Sequence, residues 1–218
     1  MSSLVHIKRH IVTSICWHSS NFYNFNLFGI KKMTSQNIII CISALLFILG
    51  VVIGSEMPHI DNESQKFIFQ FENKCSNNVL FFYFLTNNLR LVGLLISGSA
   101  LFGAPSCLNL MANGIFIGST IKSAILTNKL LEFILLTLPH GIFEIPAIII
   151  AGAAGFKIPY EIIRYLAGKK EQILTKEDIR EYLTLALISI ILIVIAAWIE
   201  ANVTLKIAKA MLNSTKGI

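Results

Sequence analysis

The sequence predicts an all-α protein, a polytopic membrane helix bundle of about five transmembrane helices in which helices two and four are broken. Of its 218 residues, 55% are hydrophobic and only 14% are charged, whereas a soluble domain has about 25% charged residues. Mean hydropathy is +0.70. A helix crosses a bilayer with about 20 apolar residues. Runs near that length recur at residues 38–54, 79–103, 107–126, 133–155 and 183–201.

The domain organisation is simple. Residues 1–36 form a basic N-terminal extension, residues 37–205 a membrane domain, and residues 206–218 a short basic tail. Met33 stands directly before the first apolar run, so it is an alternative start that would leave the preceding residues untranslated. No segment has the length or the patterning of a separate soluble domain.

The distribution of basic residues predicts the orientation. Lys31 and Lys32 precede the first run, and residues 156–181 carry six basic residues. Because cytoplasmic loops are rich in Lys and Arg, we expect a multi-pass protein of the cell membrane with a cytoplasmic N-terminus and a cytoplasmic 156–181 loop. Five crossings then leave the C-terminus outside, which Lys206 and Lys209 disfavour. A re-entrant second or fourth run would reverse this parity and stays open.

The fourth run contains the most unusual stretch, LPHGIFEIP at residues 138–146. Pro139 and Pro146 each remove a backbone hydrogen bond, which predicts a break at membrane depth. His140 and Glu144 are four residues apart, so a helix places them on one face. Such ionisable groups inside a membrane are expensive and are paired or functional.

Three roles compete for His140 and Glu144. They can hydrogen-bond neighbouring helices, they can relay a proton or an ion, or they can bind a metal. Only two ligands are local and no HExxH pattern exists, so we expect neither a metal site nor a cofactor. No Ser/His pair or paired carboxylates occur at one depth, so we expect no enzymatic activity and no catalytic residue.

The position of each polar residue within its apolar run gives its expected depth in the bilayer, and residues at the same depth are expected to pair. Arg90 in run two and Glu144 in run four both fall near the bilayer midplane, which predicts an ion pair. The side chains expected to complete its hydrogen bonds are amides, namely Asn87, Asn88 and Asn113. Glu200, late in run five, falls near the outer face at the depth of Lys122 in run three, its expected partner.

Small residues predict where helices pack closely. Gly114 and Gly118 form a GxxxG pair in run three, which lets two backbones approach each other. Ala147, Ala151 and Gly155 recur every four residues along run four. This spacing predicts a second buried packing seam.

These features together resemble a known family. The stretch at residues 138–155 is similar to the hallmark of the stage II sporulation protein M family. The same holds for Asn87-Asn88, for Asn113-Gly114 with Gly118, and for Glu200 late in the last run. The resemblance covers about residues 38–205 and leaves the first 33 residues outside.

The resemblance implies an integral membrane protein with about five spans. The sporulation member anchors and positions a pair of peptidoglycan-degrading partners during forespore engulfment, whereas many relatives occur in prokaryotes that do not sporulate. We therefore expect a membrane scaffold or assembly protein of the cell envelope that positions envelope-associated partners. The alternative is a small transporter or channel with a midplane polar site at His140 and Glu144.

The expected partners follow from the same considerations. They are the lipid bilayer and other membrane or envelope proteins, including a second copy of the chain. Nucleic acid is not expected, because the basic residues lie between apolar runs and form no aromatic and basic surface motif.

Overall fold

A computed structural model describes residues 35–57 and 76–216, and within these ranges every regular element is a helix. The extension at residues 1–34 lies outside the described residues. The helices are α1 (Ser35–Glu56), α2 (Asn77–Ser97), α3 (Ala104–Leu126), α4 (Leu130–Leu166), α5 (Lys176–Ile199), a π-helical segment (Glu200–Thr204) and α6 (Leu205–Lys216). The predicted all-α class is confirmed.

Four helices are long and apolar enough to cross a membrane. They are α1, α2, α4, and α5 with its continuation as far as Met211. The remaining long helix, α3, has 23 residues, and Asn109, Asn113 and Lys122 lower its apolar character. The chain is thus a polytopic membrane helix bundle with five long helices.

The predicted breaks in helices two and four are wrong. Helix α2 runs without interruption through its two asparagines, and α4 is one helix of 37 residues that contains Pro139, Pro146 and Pro159. Each proline removes only one backbone hydrogen bond. Close packing of α4 against its neighbours, which buries Ala147 and Ala151 completely, stabilises the helix despite that loss. The interruption lies in the last span instead, where the π segment follows Ile199.

Contacts at both ends of α4 fix the helix directions. The Nζ of Lys157 lies 2.6 Å from Oε2 of Glu181, and Nδ1 of His140 lies 3.2 Å from Oγ1 of Thr204. Helices α4 and α5 are therefore antiparallel. Ser35, at the start of α1, contacts Glu161 of α4, so the beginning of α1 and the α4–α5 connection lie at the same end of the bundle.

Helices α1 and α3 run parallel at backbone contact. A Cβ atom added to Gly54 would lie 2.1 Å from the carbonyl oxygen of Ile115, and one added to Gly118 would lie 2.1 Å from that of Val51. Gly50 and Gly114 are equally close to the opposite backbone. Two GxxxG pairs therefore face each other, although the sequence analysis identified only the pair in α3.

A buried serine joins α2, α3 and α4. Ser106 Oγ donates a hydrogen bond to the carbonyl oxygen of Leu95 at 2.6 Å. A Cβ atom on Gly98 would lie 1.9 Å from this Oγ, and one on Gly155 would lie 2.0 Å from it. The two glycines thus leave the notch that Ser106 occupies, while Gly103, with φ of 83°, caps α3.

We expect Gly118→Ala to destabilise the protein, because its methyl group would overlap the backbone of α1. Overpacking of this kind costs about 1–3 kcal/mol. Gly93→Ala is the matched control, since no atom lies within 4 Å of a Cβ atom there and alanine favours a helix. Thermal unfolding in detergent measures both variants. Equal melting temperatures for the two would contradict the close α1–α3 contact.

Candidate functional site

The first candidate site is a buried ion cluster where α4 meets α5. Lys157 and Glu161 occupy successive turns of α4, and their side chains are 1% and 0% exposed. The Nζ of Lys157 donates to Oε1 of Glu161 at 2.9 Å, to Oε2 of Glu181 at 2.6 Å and to Oγ of Ser35 at 3.0 Å. One ammonium group therefore connects α1, α4 and α5.

A second layer of charges completes this cluster. Arg164 and Lys170 donate to Oε2 of Glu161 at 3.0 and 3.1 Å. Lys170 also donates to Asp178, whose Oδ2 accepts the backbone N–H of Thr175 at 2.7 Å. Thr175 and Asp178 form the capping box at the start of α5.

We define the ion cluster as three cations and three carboxylates, namely Lys157, Arg164, Lys170, Glu161, Asp178 and Glu181. Its formal charges cancel. Removing one partner from a buried, hydrogen-bonded pair leaves the other charge uncompensated, which is strongly destabilising. The cluster therefore holds the α4–α5 connection in one arrangement.

This cluster was not expected, because the composition of residues 156–181 predicts a polar loop. Helix α4 continues to Leu166 and α5 begins at Lys176, so the connection is much shorter than predicted. The available signal was the spacing of Lys157, Glu161 and Arg164, at intervals of four and three residues. Such spacing places all three on one helix face.

The second candidate site is the polar contact between α4 and the π segment. His140 Nε2 lies 3.8 Å from Oε2 of Glu144, and Thr204 faces Nδ1 of the same imidazole. The side chains of His140 and Glu144 are 14% and 24% exposed. Glu200 opens the π segment. Within residues 35–57 and 76–216, no three His, Cys, Asp or Glu side chains could hold a metal ion.

The predicted Arg90–Glu144 pair does not form. Arg90 and Asn87 are exposed on α2, whereas Asn88 is buried. Gly155 of α4 packs against the carbonyl of Leu95, so Arg90 lies level with about residue 150 of α4. At 1.5 Å per residue this level is offset from Glu144 by roughly 9 Å along the helix axis. The depth prediction failed because counting from run ends ignores the register that close packing sets.

The predicted contributions of α3 to this polar contact are also wrong. The side-chain amide of Asn113 donates to the carbonyl of Asn109 at 2.8 Å, within its own helix. Lys122 donates to the carbonyl of Met57, just beyond α1, at 2.9 Å rather than pairing with Glu200. The π segment, which the sequence analysis did not predict, supplies the partner of His140 instead.

The third feature is the face of α2 that points away from the bundle. We define the α2 outer face as its exposed central residues, namely Phe82, Tyr83, Thr86, Asn87, Arg90, Gly93 and Leu94. Thr86 is hydrogen-bonded to the carbonyl of Phe82 within the helix. The face nevertheless presents an amide and a guanidinium group to the surroundings of a membrane-crossing helix.

The ion cluster generates a stability prediction. We expect Glu161→Gln to lower the free energy of unfolding by about 3–5 kcal/mol, because Lys157 would lose its buried counter-charge. Glu171→Gln is the charge-matched control, since Glu171 is exposed in the α4–α5 connection. Urea unfolding in mild detergent compares the two variants. A loss of equal size in the control would show that net charge, rather than burial, determines the effect.

Comparisons with known proteins agree with this architecture. The family model described as Stage II sporulation protein M matches residues 40–205. An uncharacterized protein of Methanocaldococcus jannaschii is 47% identical over 176 residues, covering 80% of this chain and 98% of the relative.

A second uncharacterized protein of Methanocaldococcus jannaschii is 40% identical over 86 residues, or 38% of this chain and 39% of that relative. No solved structure matches the chain. The family match spans the five long helices, including the His140–Glu144 stretch and the π segment. The chain belongs to the stage II sporulation protein M family.

Proposed function

We propose that this protein is a membrane scaffold of the cell envelope that binds another membrane protein through the α2 outer face. The observation that carries the proposal is the exposure of Asn87 and Arg90 on a helix long and apolar enough to cross a membrane. A charged side chain at the centre of a membrane helix costs about 2.5–3.5 kcal/mol on insertion scales. A protein partner that hydrogen-bonds these groups offsets that cost.

Snorkelling alone does not remove the need for a partner. Arg90 lies about 10 Å from the end of α2 at Ser97, so its long side chain can extend toward the water. Asn87 lies one turn deeper, and its side chain is too short to reach the water. Gly93, beside Arg90 on the same face, leaves open space in which another helix can pack closely.

The rest of the bundle supports a positioning role. The ion cluster fixes one end, and the two GxxxG pairs hold α1 against α3. A rigid bundle presents the α2 outer face at a constant height and angle. The family's sporulation member positions envelope partners, as the resemblance implies. Because this chain belongs to the same family, we extend that positioning role to it.

The orientation is part of the proposal. Ser35 lies beside Glu161, so the start of α1 and the basic α4–α5 connection share one end of the bundle. Following the positive-inside tendency, we assign this end to the cytoplasm. Thr204 lies beside His140, toward the other end of the bundle, so the last span runs outward and its C-terminal end, with Lys206 and Lys209, is an exception to the tendency.

Transport is the second candidate function, because Glu144 is partly exposed beside His140. A relay would pass protons between these groups, and the Thr204 hydroxyl lies within reach of the imidazole. One observation favours the scaffold. Helix α4 continues without the broken backbone from which transporters build midplane sites.

Site-specific photo-crosslinking in native membranes tests the scaffold. A photoreactive residue replacing Leu94 on the α2 outer face should yield one defined crosslinked species, because a partner helix covers this face. Leu45, exposed on α1, is the matched control position. We expect Arg90→Leu to abolish the species and Lys129→Leu to preserve it. Equal, diffuse crosslinking at both positions would contradict the α2 interface.

A flux assay separates the two candidate functions. Purified protein in proteoliposomes should carry no proton or ion flux above that of empty vesicles, and Glu144→Gln should leave this result unchanged. The Arg90→Leu variant serves as a control for reconstitution. A robust flux that Glu144→Gln abolishes would establish transport and overturn a purely structural role.

A further inference from the structure

A shallow surface recess with a volume of about 390 Å³ lies along the first three turns of α5 and is open over most of its area; we call it the cavity. Its lining residues are Lys176, Ile179, Arg180, Leu183, Thr184 and Leu187. Intervals of three and four residues place them on one helix face. Ile179, Leu183 and Leu187 are about half exposed, so this face points away from the core.

The cavity carries two cations that the ion cluster does not use. Among residues 35–57 and 76–216, the ion pairs at this end involve Lys157, Arg164 and Lys170 rather than Lys176 or Arg180. The three nearest carboxylates on the inner side, Glu161, Asp178 and Glu181, are already paired with the cations of the ion cluster. Glu177 is exposed on the same turns, so the outer side of α5 has two cations against one carboxylate and keeps a net positive charge, whereas its inner side is neutral.

The position of the cavity along α5 matches a membrane boundary. Lys176 and Arg180 belong to the polar start of the helix, next to the capping box. Leu183 and Leu187 open the apolar part that is suited to cross the membrane. Arg180 and Leu187 are separated by about 10 Å along the helix axis, so cations and leucines lie on the two sides of that boundary.

We propose that this cavity binds one anionic phospholipid. Lys176 and Arg180 contact its phosphate, and an acyl chain lies along Leu183 and Leu187. A free phosphate ion would use only the two cations, whereas a phospholipid uses both halves of the cavity. The Thr184 hydroxyl donates to the carbonyl of Arg180 at 2.8 Å, so it is already used within the helix.

The ion cluster stabilises the helix turns that line this cavity. Asp178 and Glu181 hold the inner side of the same two helix turns to Lys157 and Lys170. The backbone that carries Lys176 and Arg180 is therefore held in place. The bound lipid also places the headgroup level at Arg180, which sets the height of the whole bundle in one leaflet.

Native mass spectrometry of the full chain tests the proposal. The protein is released from nanodiscs of equimolar phosphatidylglycerol and phosphatidylcholine, and the retained lipids are counted. We expect retention of one phosphatidylglycerol in preference to phosphatidylcholine. Lys176→Gln with Arg180→Gln should reduce that preference about twenty-five-fold, because each basic side chain near the membrane surface strengthens anionic-lipid binding about five-fold.

Two further variants keep the result unambiguous. Lys169→Gln with Lys206→Gln removes the same charge from exposed positions outside the cavity and should keep the preference. Thr184→Trp places a bulky side chain in the middle of the cavity without changing charge and should weaken lipid retention. An unchanged preference in the Lys176 and Arg180 double variant would overturn the proposal. So would complete displacement of the lipid by excess inorganic phosphate, which would identify a phosphate site.

Discussion

The buried ammonium group of Lys157 is the constraint on which the arrangement of α1, α4 and α5 depends. It lies beside Glu161, and both side chains are removed from solvent. A lysine in such a place keeps its charge only when several acceptors surround it. Three helices and the start of the α4–α5 connection supply those acceptors and their counter-cations, so none of these elements can move without exposing an uncompensated charge.

The ion cluster and the glycine contacts secure different parts of the bundle. The cluster joins elements through long side chains at one end, whereas Gly54 and Gly118 bring α1 and α3 together through their backbones nearer the other end. Packing drives association inside a membrane, where apolar side chains gain little from leaving lipid. Close contact thus replaces hydrophobic burial in the membrane interior, and charge pairing takes over where the helices meet water.

The fold class could be predicted because hydropathy and length directly reflect the thickness of the bilayer. Local spacing was also reliable, since His140 and Glu144 lie on one face as their four-residue interval requires. Register between helices was not predictable from run boundaries. Gly155 against Leu95 sets the height of α2 relative to α4, and no count along either run contains that information. The loop-like composition of residues 156–181 concealed the role of Lys157 for a related reason, because its partners other than Glu161 are distant in sequence.

This difference in register also means that Arg90 and Glu144 have different surroundings. Glu144 turns toward His140 on its own helix and has partners inside the chain, so its contacts contribute to the bundle. Arg90 lies at another height and is exposed on α2, and no carboxylate within residues 35–57 and 76–216 forms an ion pair with it. A membrane protein that keeps an arginine there incurs an insertion cost in isolation. In the proposed scaffold a partner protein offsets this cost, so the proposal depends on the outward charge of Arg90 rather than on the His140–Glu144 pair inside the bundle.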